Sequence, residues 1–365
     1  MEALKAALKA QAKALGLDLV GVCDAAPFEA ERAYMTGRTV APNPFEWPDF
    51  EARIEPERLL PGVKSIVAVG MSYGMPDEAK PEGLHGWLSR YCRGEDYHQL
   101  IEARMASLAS WLEAALPGVK TYAHIDVGAP IDRAVAVRAG LGRHGKSTIM
   151  IAPGYGTWTF LGEILTTAPL PPDPPAVWNV CGSCTRCLDA CPTGCLTEWA
   201  IDSTRCLGYL NQMDGAIPVE FRAPMGDRLF GCDDCQDVCP YNKTAKMGLH
   251  PEYAPEAGAG AHPSLLELLA MDESTFEARW GPTAAAWRGL ETIQRNALVA
   301  LGNSGQPEAL EPLALALFDE SPLLRRHAAW GLGRLAALLP DLTPACREAL
   351  EARRAHEDDP EVLAE

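Results

Sequence analysis

Two cysteine runs constrain this chain more than any other feature. The first is Cys181-x2-Cys184-x2-Cys187-x3-Cys191 followed by Pro192, the full bacterial ferredoxin spacing. The second is Cys232-x2-Cys235-x3-Cys239 followed by Pro240, and its missing leading cysteine would fall at Leu229. In paired runs of this kind the cysteine before proline ligates the other cluster. The spacing therefore predicts two [4Fe-4S] clusters. Cys181, Cys184, Cys187 and Cys239 hold one; Cys191, Cys232 and Cys235 hold the second, with a fourth thiolate from Cys206 or Cys195. Cys195 lies four residues after Cys191 and would have to fold back on its own loop, so the longer tether favours Cys206. Zinc sites do not require a three-cysteine run ending in Cys-Pro. Thiols concentrated in one short stretch of a 365-residue chain, with no secretory signal ahead of them, do not suggest a disulfide framework. Cys23, Cys92, Cys195 and Cys346 read as ordinary buried thiols.

With 365 residues, 47% of them apolar, the chain can build two or three domains. It has no apolar run long enough to span a bilayer. The first helix keeps its lysines on a polar face and lacks the apolar centre of a signal peptide, so a cytoplasmic location is expected. The net charge of −17 argues against broad, non-specific binding of nucleic acid, which depends on phosphate neutralisation. A local basic stretch remains: Arg133, Arg138, Arg143 and Lys146 have no acid among them between 133 and 148. From charge alone it reads as a solvated helix face.

The texture changes twice along the chain. Residues 1–170 alternate helical stretches, 2–15 and 97–116 among them, with β-like runs such as 65–69 and 148–151, which predicts an α/β domain. Five prolines between Pro169 and Pro175 make a stiff linker into the cysteine-rich part, 171–250. Residues 251–365 are Ala/Leu/Glu-rich, and Arg295–Gly302 realigns with Arg326–Gly333 at an offset of 31 residues. Paired helices at that period suggest a short array of HEAT-like repeats, each burying its apolar face on its neighbour.

One motif is deceptive. Gly140 to Ser147 satisfies the P-loop pattern literally. That motif needs a strand before it and a helix after it, so that phosphate meets a helix N-terminus. Here the order is inverted, with a helical stretch before and a short strand stopped by Pro153-Gly154 after. The segment is expected to be a Gly-rich loop approaching some ligand, not a nucleotide hydrolase site.

Several longer stretches together resemble one family, the epoxyqueuosine reductases. They are Arg90-Tyr-Cys-Arg-Gly-Glu-Asp-Tyr-His98, His124-Ile-Asp126-Val-Gly-Ala-Pro-Ile-Asp132-Arg133, Ala139 to Lys146, Arg205-Cys206-Leu-Gly-Tyr-Leu210 and Gly231 to Pro240. The likeness extends over nearly the whole chain. It implies a cobalamin-binding α/β domain, a ferredoxin-like two-cluster domain and an all-α HEAT-like repeat domain. It also implies Cys206 as the eighth cluster ligand. Arg143 and Cys195 depart from the family pattern, which more often has an aromatic residue and an alanine there.

The activity implied is reduction of epoxyqueuosine to queuosine in the anticodon loop of tRNA. Removing an epoxide oxygen takes two electrons and protons; clusters deliver electrons singly and a cobalamin, with its cobalt base-off or unliganded, can collect two. Asp126 matches the family's acidic position and is the expected proton donor, with a pKa raised by burial over the corrin. Asp132 is the runner-up, with Arg133 available to hold it ionised. Corrin contacts are expected from Arg53, Asp126, Ser147, Asn211 and Asp234, with Asp233 and Asp234 otherwise solvating a cluster loop. Arg222, Arg228 and Lys243 are expected to meet tRNA phosphates; a loop with splayed bases suits a protein pocket. A low-potential donor of ferredoxin or flavodoxin type, no membrane and a monomer complete the expectation. The alternatives are a corrinoid reductive dehalogenase of small organohalides, which typically carries a twin-arginine signal absent here, and a ferredoxin-type electron carrier, which leaves residues 1–170 without a role.

Overall fold

The structure is a computed structural model and describes residues 1–41 and 43–365. Its chain packs into two compact units, each assembled from separated segments. The first comprises 1–76, 96–204 and 234–250; the second comprises 77–95, 205–233 and 251–365. The textures read from sequence do not coincide with these units: 171–250 contributes to both.

The first unit is built on a four-stranded sheet in the order Leu19–Asp24, Ser65–Ser72, Thr159–Thr166, Thr121–His124, antiparallel at every pairing. Every residue of Ser65–Ser72 is buried, as expected of an inner strand rich in β-branched residues and covered on both faces. The helix Tyr97–Ala115 opens at Asp96, whose carboxylate accepts from the His98 N–H. A second helix, Asp132–Arg138, contributes Ala134, Val135 and Ala136 to a core shared with Ile54, Ile66 and Leu165. The proline-rich segment is pinned: Asp173 accepts from the Val22 N–H at 2.8 Å and pairs with Lys9 at 2.6 Å.

Both expected helices form, as Glu2–Ala14 and Tyr97–Ala115. Of the two β-like runs, 65–69 lies in a full strand, whereas 148–151 shrinks to Met150–Ile151, paired with Arg143–His144 in a small hairpin. The P-loop reading fails as expected on that geometry, because a helix precedes the Gly-rich segment and its own Arg143–His144 pairs in a hairpin where a helix would have to begin.

The second unit is mainly helical. The helices Gly289–Asn303 and Pro322–Leu338 carry the two copies of the sequence repeat and pack together. Glycine permits that approach: a Cβ on Gly302 would meet the Gly331 Cα at 2.7 Å. A short parallel pairing of Arg228–Phe230 with Trp87–Leu88 completes this unit. Among the described residues, no helix is long and apolar enough to cross a membrane.

Candidate functional site

Asp126 follows the strand Thr121–His124 in a tight turn, with the Val127 N–H donating to the Ile125 carbonyl at 2.6 Å. Its φ of +51° is a left-handed conformation that Asp tolerates better than most residues. The turn points its carboxylate at the start of the helix Tyr97–Ala115. There the Tyr97 hydroxyl donates to Asp126 Oδ2 at 2.5 Å, and His98 Nε2 lies 3.2 Å from the same oxygen. The other ring nitrogen, His98 Nδ1, is 2.7 Å from Asp96 Oδ1. The Tyr97 ring stacks on Phe160, with centroids 4.0 Å apart and planes 6° apart, which fixes the phenol.

This arrangement decides where the proton sits. Burial pulls the His98 imidazole down, but the flanking carboxylates of Asp126 and Asp96 outweigh it and bring it to about 9. Burial pushes Asp126 up, but the hydrogen bonds from His98 and Tyr97 win and hold it below the ordinary carboxylate range. The expected raised pKa of Asp126 is therefore reversed: the carboxylate is ionised, and its neighbour carries the proton.

The neighbouring acids behave oppositely. His124, Asp132 and Glu163 bring ligand atoms within 4.8 Å of one another. His124 Nε2, Asp132 Oδ1 and Glu163 Oε1 are buried without hydrogen-bond partners. Burial first, and then the charge of Asp126, raises Asp132 to about 7, while burial and Asp132 push Glu163 well up. The expectation that Arg133 holds Asp132 ionised fails, because the Arg133 guanidinium donates to the Thr148 carbonyl instead, at 2.8 Å.

Of the cysteines, Cys181, Cys184, Cys187 and Cys239 all belong to the first unit. The short helices Arg186–Asp189 and Asp234–Asp237, which sit within the two runs, pack on each other. Burial and the charges of Cys181 and Cys239 raise Cys187; burial, then Cys181 and Cys184 among other groups, raise Cys239. Two thiols whose ionisation is disfavoured beside neighbouring sulfurs suit a cationic iron core, which reverses that penalty. The Lys146 N–H in the Gly-rich loop donates to Cys181 Sγ at 3.3 Å.

Cys191 and Cys235 also lie in the first unit, and Cys206 and Cys232 in the second. Cys195 is not an ordinary buried thiol: it folds back so that its Sγ is 3.4 Å from Cys191 Sγ. That contact, ahead of burial, lowers Cys191 to about 5.

The remaining expected contacts divide sharply. Arg53 pairs with Glu46 and lines a small apolar cavity with Phe28, Ile131 and Leu165. Ser147 is buried, and Asp234 opens a short helix within the second cysteine run. Asn211 is not a corrin contact through its side chain, which is fully buried and bonded to both the carbonyl and the N–H of Gly231. Asp233 does not solvate a loop. It is fully buried, accepts from the Ser89 hydroxyl and Arg90 N–H, and pairs with the Arg90 guanidinium. Arg222 is no phosphate contact either: it is fully buried and bound to Glu365 at 2.7 Å. Arg228 donates to the Met225 carbonyl, and Lys243 is exposed.

Residues 53–127 match the family described as Epoxyqueuosine reductase QueG, DUF1730; 180–242 match a 4Fe-4S double cluster binding domain, and 290–365 match HEAT repeats. An epoxyqueuosine reductase of Bacillus cereus is 37% identical, the alignment covering all of this chain and 96% of the relative. This chain belongs to the epoxyqueuosine reductase family. It is accordingly an oxidoreductase. The Escherichia coli epoxyqueuosine reductase is 35% identical over 77% of this chain and 76% of its own length. Among solved structures, a crystal structure of epoxyqueuosine reductase with an epoxyqueuosine-modified tRNA-Tyr stem loop superposes with a TM-score of 0.91. It shares 36% identity, over 99% of this chain and 96% of that one. The Streptococcus thermophilus epoxyqueuosine reductase gives a TM-score of 0.87 at 31% identity.

Sequence reasoning missed Asp96, Tyr97, His98, His124 and Glu163. The first four lie inside stretches quoted for the resemblance and had a signal. Glu163 had a weaker one, a lone acid in the apolar run Thr159–Thr166.

Proposed function

We propose that this protein reduces epoxyqueuosine to queuosine in the anticodon loop of tRNA, and that it takes a cobalamin and two [4Fe-4S] clusters to do so. One observation carries the reading: a fold matched over 99% of its length by a reductase crystallised with the modified stem loop holds four gathered thiols and a carboxylate with two donor neighbours. When bound, the corrin and clusters supply the two electrons that deoxygenation consumes.

Cys181, Cys184, Cys187 and Cys239 would hold one cluster, and Cys191, Cys206, Cys232 and Cys235 the other. A corrin brings a rim of amide side chains, which need buried partners. The unsatisfied Asp132 Oδ1, Glu163 Oε1 and His124 Nε2 suit that demand; Arg53, Asp126, Ser147 and Asp234 complete the proposed contacts. Asp126 Oδ2, ionised at rest, relays to the departing oxygen the proton held on His98. It is reloaded by His98, whose Nε2 faces that same atom, while Asp96 orients the ring from the other side. Tyr97 holds the carboxylate in place. Arg228 and Lys243 are the remaining candidates for tRNA phosphates. The electrons come from a ferredoxin- or flavodoxin-type donor, and the protein works as a cytoplasmic monomer.

The test is incubation with epoxyqueuosine-containing tRNA, cobalamin and a low-potential reductant, followed by nucleoside analysis. Conversion to queuosine is expected. Unchanged epoxyqueuosine, with clusters and corrin loaded, overturns the reading.

A further inference from the structure

Cys191 is followed by a turn that ends on another thiol. The Gly194 N–H donates to the Cys191 carbonyl at 3.1 Å, and Gly194 takes a φ of +60°. The chain then enters a small hairpin, Leu196–Thr197 with Ala200–Ile201, and the Cys195 carbonyl accepts from the Asp202 N–H at 2.9 Å. Both sides of Cys195 are thus fixed by backbone bonds. Its side chain is 5% exposed, and its Sγ stands 3.4 Å from Cys191 Sγ. Thr193 Oγ1 is the second neighbour of that sulfur, at 3.7 Å.

We infer that Cys195 is a positioning residue for the second cluster, donating an S–H···S hydrogen bond to the ligand sulfur of Cys191 and raising that cluster's reduction potential. The inference rests on Cys191 being a cluster ligand. A [4Fe-4S] cube takes one cysteine thiolate per iron, each directed outward, which spreads ligand sulfurs well beyond contact. Two sulfurs 3.4 Å apart therefore do not both ligate the cube; one ligates and the other donates to it. Reduction adds negative charge that spreads onto the ligand sulfurs. A donor aimed at one of them favours the reduced state, and hydrogen bonds to the sulfurs are among the settings of cluster potential. The contact gives this chain a local means of easing electron entry at one of its two clusters.

The experiment compares the anaerobically purified holoprotein with its Cys195→Ala and Cys195→Ser variants by iron analysis and by redox titration followed by electron paramagnetic resonance. All three are expected to hold about eight irons per chain, four for each cluster. In Cys195→Ala the second cluster's signal should move to lower potential. At the wild-type midpoint its ratio of reduced to oxidised cluster should fall about tenfold, roughly 59 mV for a one-electron couple. Cys195→Ser, which keeps a donor, should recover part of that shift. Loss of about half the iron in Cys195→Ala overturns the inference by making Cys195 a ligand. An unmoved potential overturns it by reducing Cys195 to packing. A wild-type protein without clusters overturns the underlying ligand assignment instead, and the iron analysis separates that failure from the other two.

Discussion

Asp126 and the Asp132–Glu163 pair lie within one unit and answer to the same chemistry, yet the protein drives them apart. Asp126 faces a phenol and an imidazole, so its charge is solvated by donors and its pKa falls. Asp132 and Glu163 are buried with each other and a neutral imidazole, so their pKa values rise. Loss of water acts in the same direction on all three, least deeply at the half-exposed Asp126; the partner decides the outcome. Pairs of carboxyl groups pushed in opposite directions are a mark of acid–base sites. Here the pattern locates the mobile proton on His98 rather than on the acid first expected to carry it.

The largest expected effect comes from removing the ionised member. Asp126→Asn keeps the shape and loses the proton acceptor and donor, so turnover should fall by roughly 10²–10⁴, the usual worth of general acid–base catalysis. Iron content and corrin spectrum should be unchanged. Retained turnover would show that the depressed carboxylate is only a turn residue and that the comparison has no catalytic content.

A smaller effect, about tenfold, is expected for His98→Gln, because water can reload Asp126 slowly. The pH profile carries the sharper information. His98 holds its proton up to about 9, so wild-type turnover should be sustained to that pH and fall above it. The variant should lose that limb. An alkaline limb still at about 9 in the variant would assign it to another group.

How legible this was from sequence follows from the range of each interaction. Cluster spacing is local, so the double-cluster domain could be read directly, and so could the helix Tyr97–Ala115. The sheet was half legible: Ser65–Ser72 stands out by its β-branched residues, whereas Thr121–His124 is only four residues long and depends on its partner Thr159–Thr166. Charge was least legible. Arg222 and Asp233 look like surface residues in a string of letters, and only tertiary packing supplies Glu365 for one and Ser89 with Arg90 for the other. The direction of the Asp126 shift failed for the same reason. Its partners lie 28 and 29 residues away in sequence, on a different element.

The raised pair offers the mildest test and the one least tied to turnover. Asp132 moves from an ordinary 3.8 to about 7, and Glu163 moves up with it. Both carboxyls thus bind protons more tightly folded than unfolded. The stability belonging to their protonated form is complete below the ordinary carboxyl range and is lost as pH rises through their raised values, about 7 for Asp132. Glu163→Gln replaces one acid by a neutral amide of the same shape and relieves the repulsion that raises Asp132. The unfolding free energy of the corrin-free protein, followed through its apparent Tm, should therefore decline less between pH 4 and 7 in the variant than in the wild type, by an amount on the order of 2 kcal/mol across that window. The two Tm profiles should converge at the acidic end, where the wild-type pair is already neutral. Parallel profiles would mean that Asp132 and Glu163 find partners elsewhere and that burial alone does not set the contrast with Asp126.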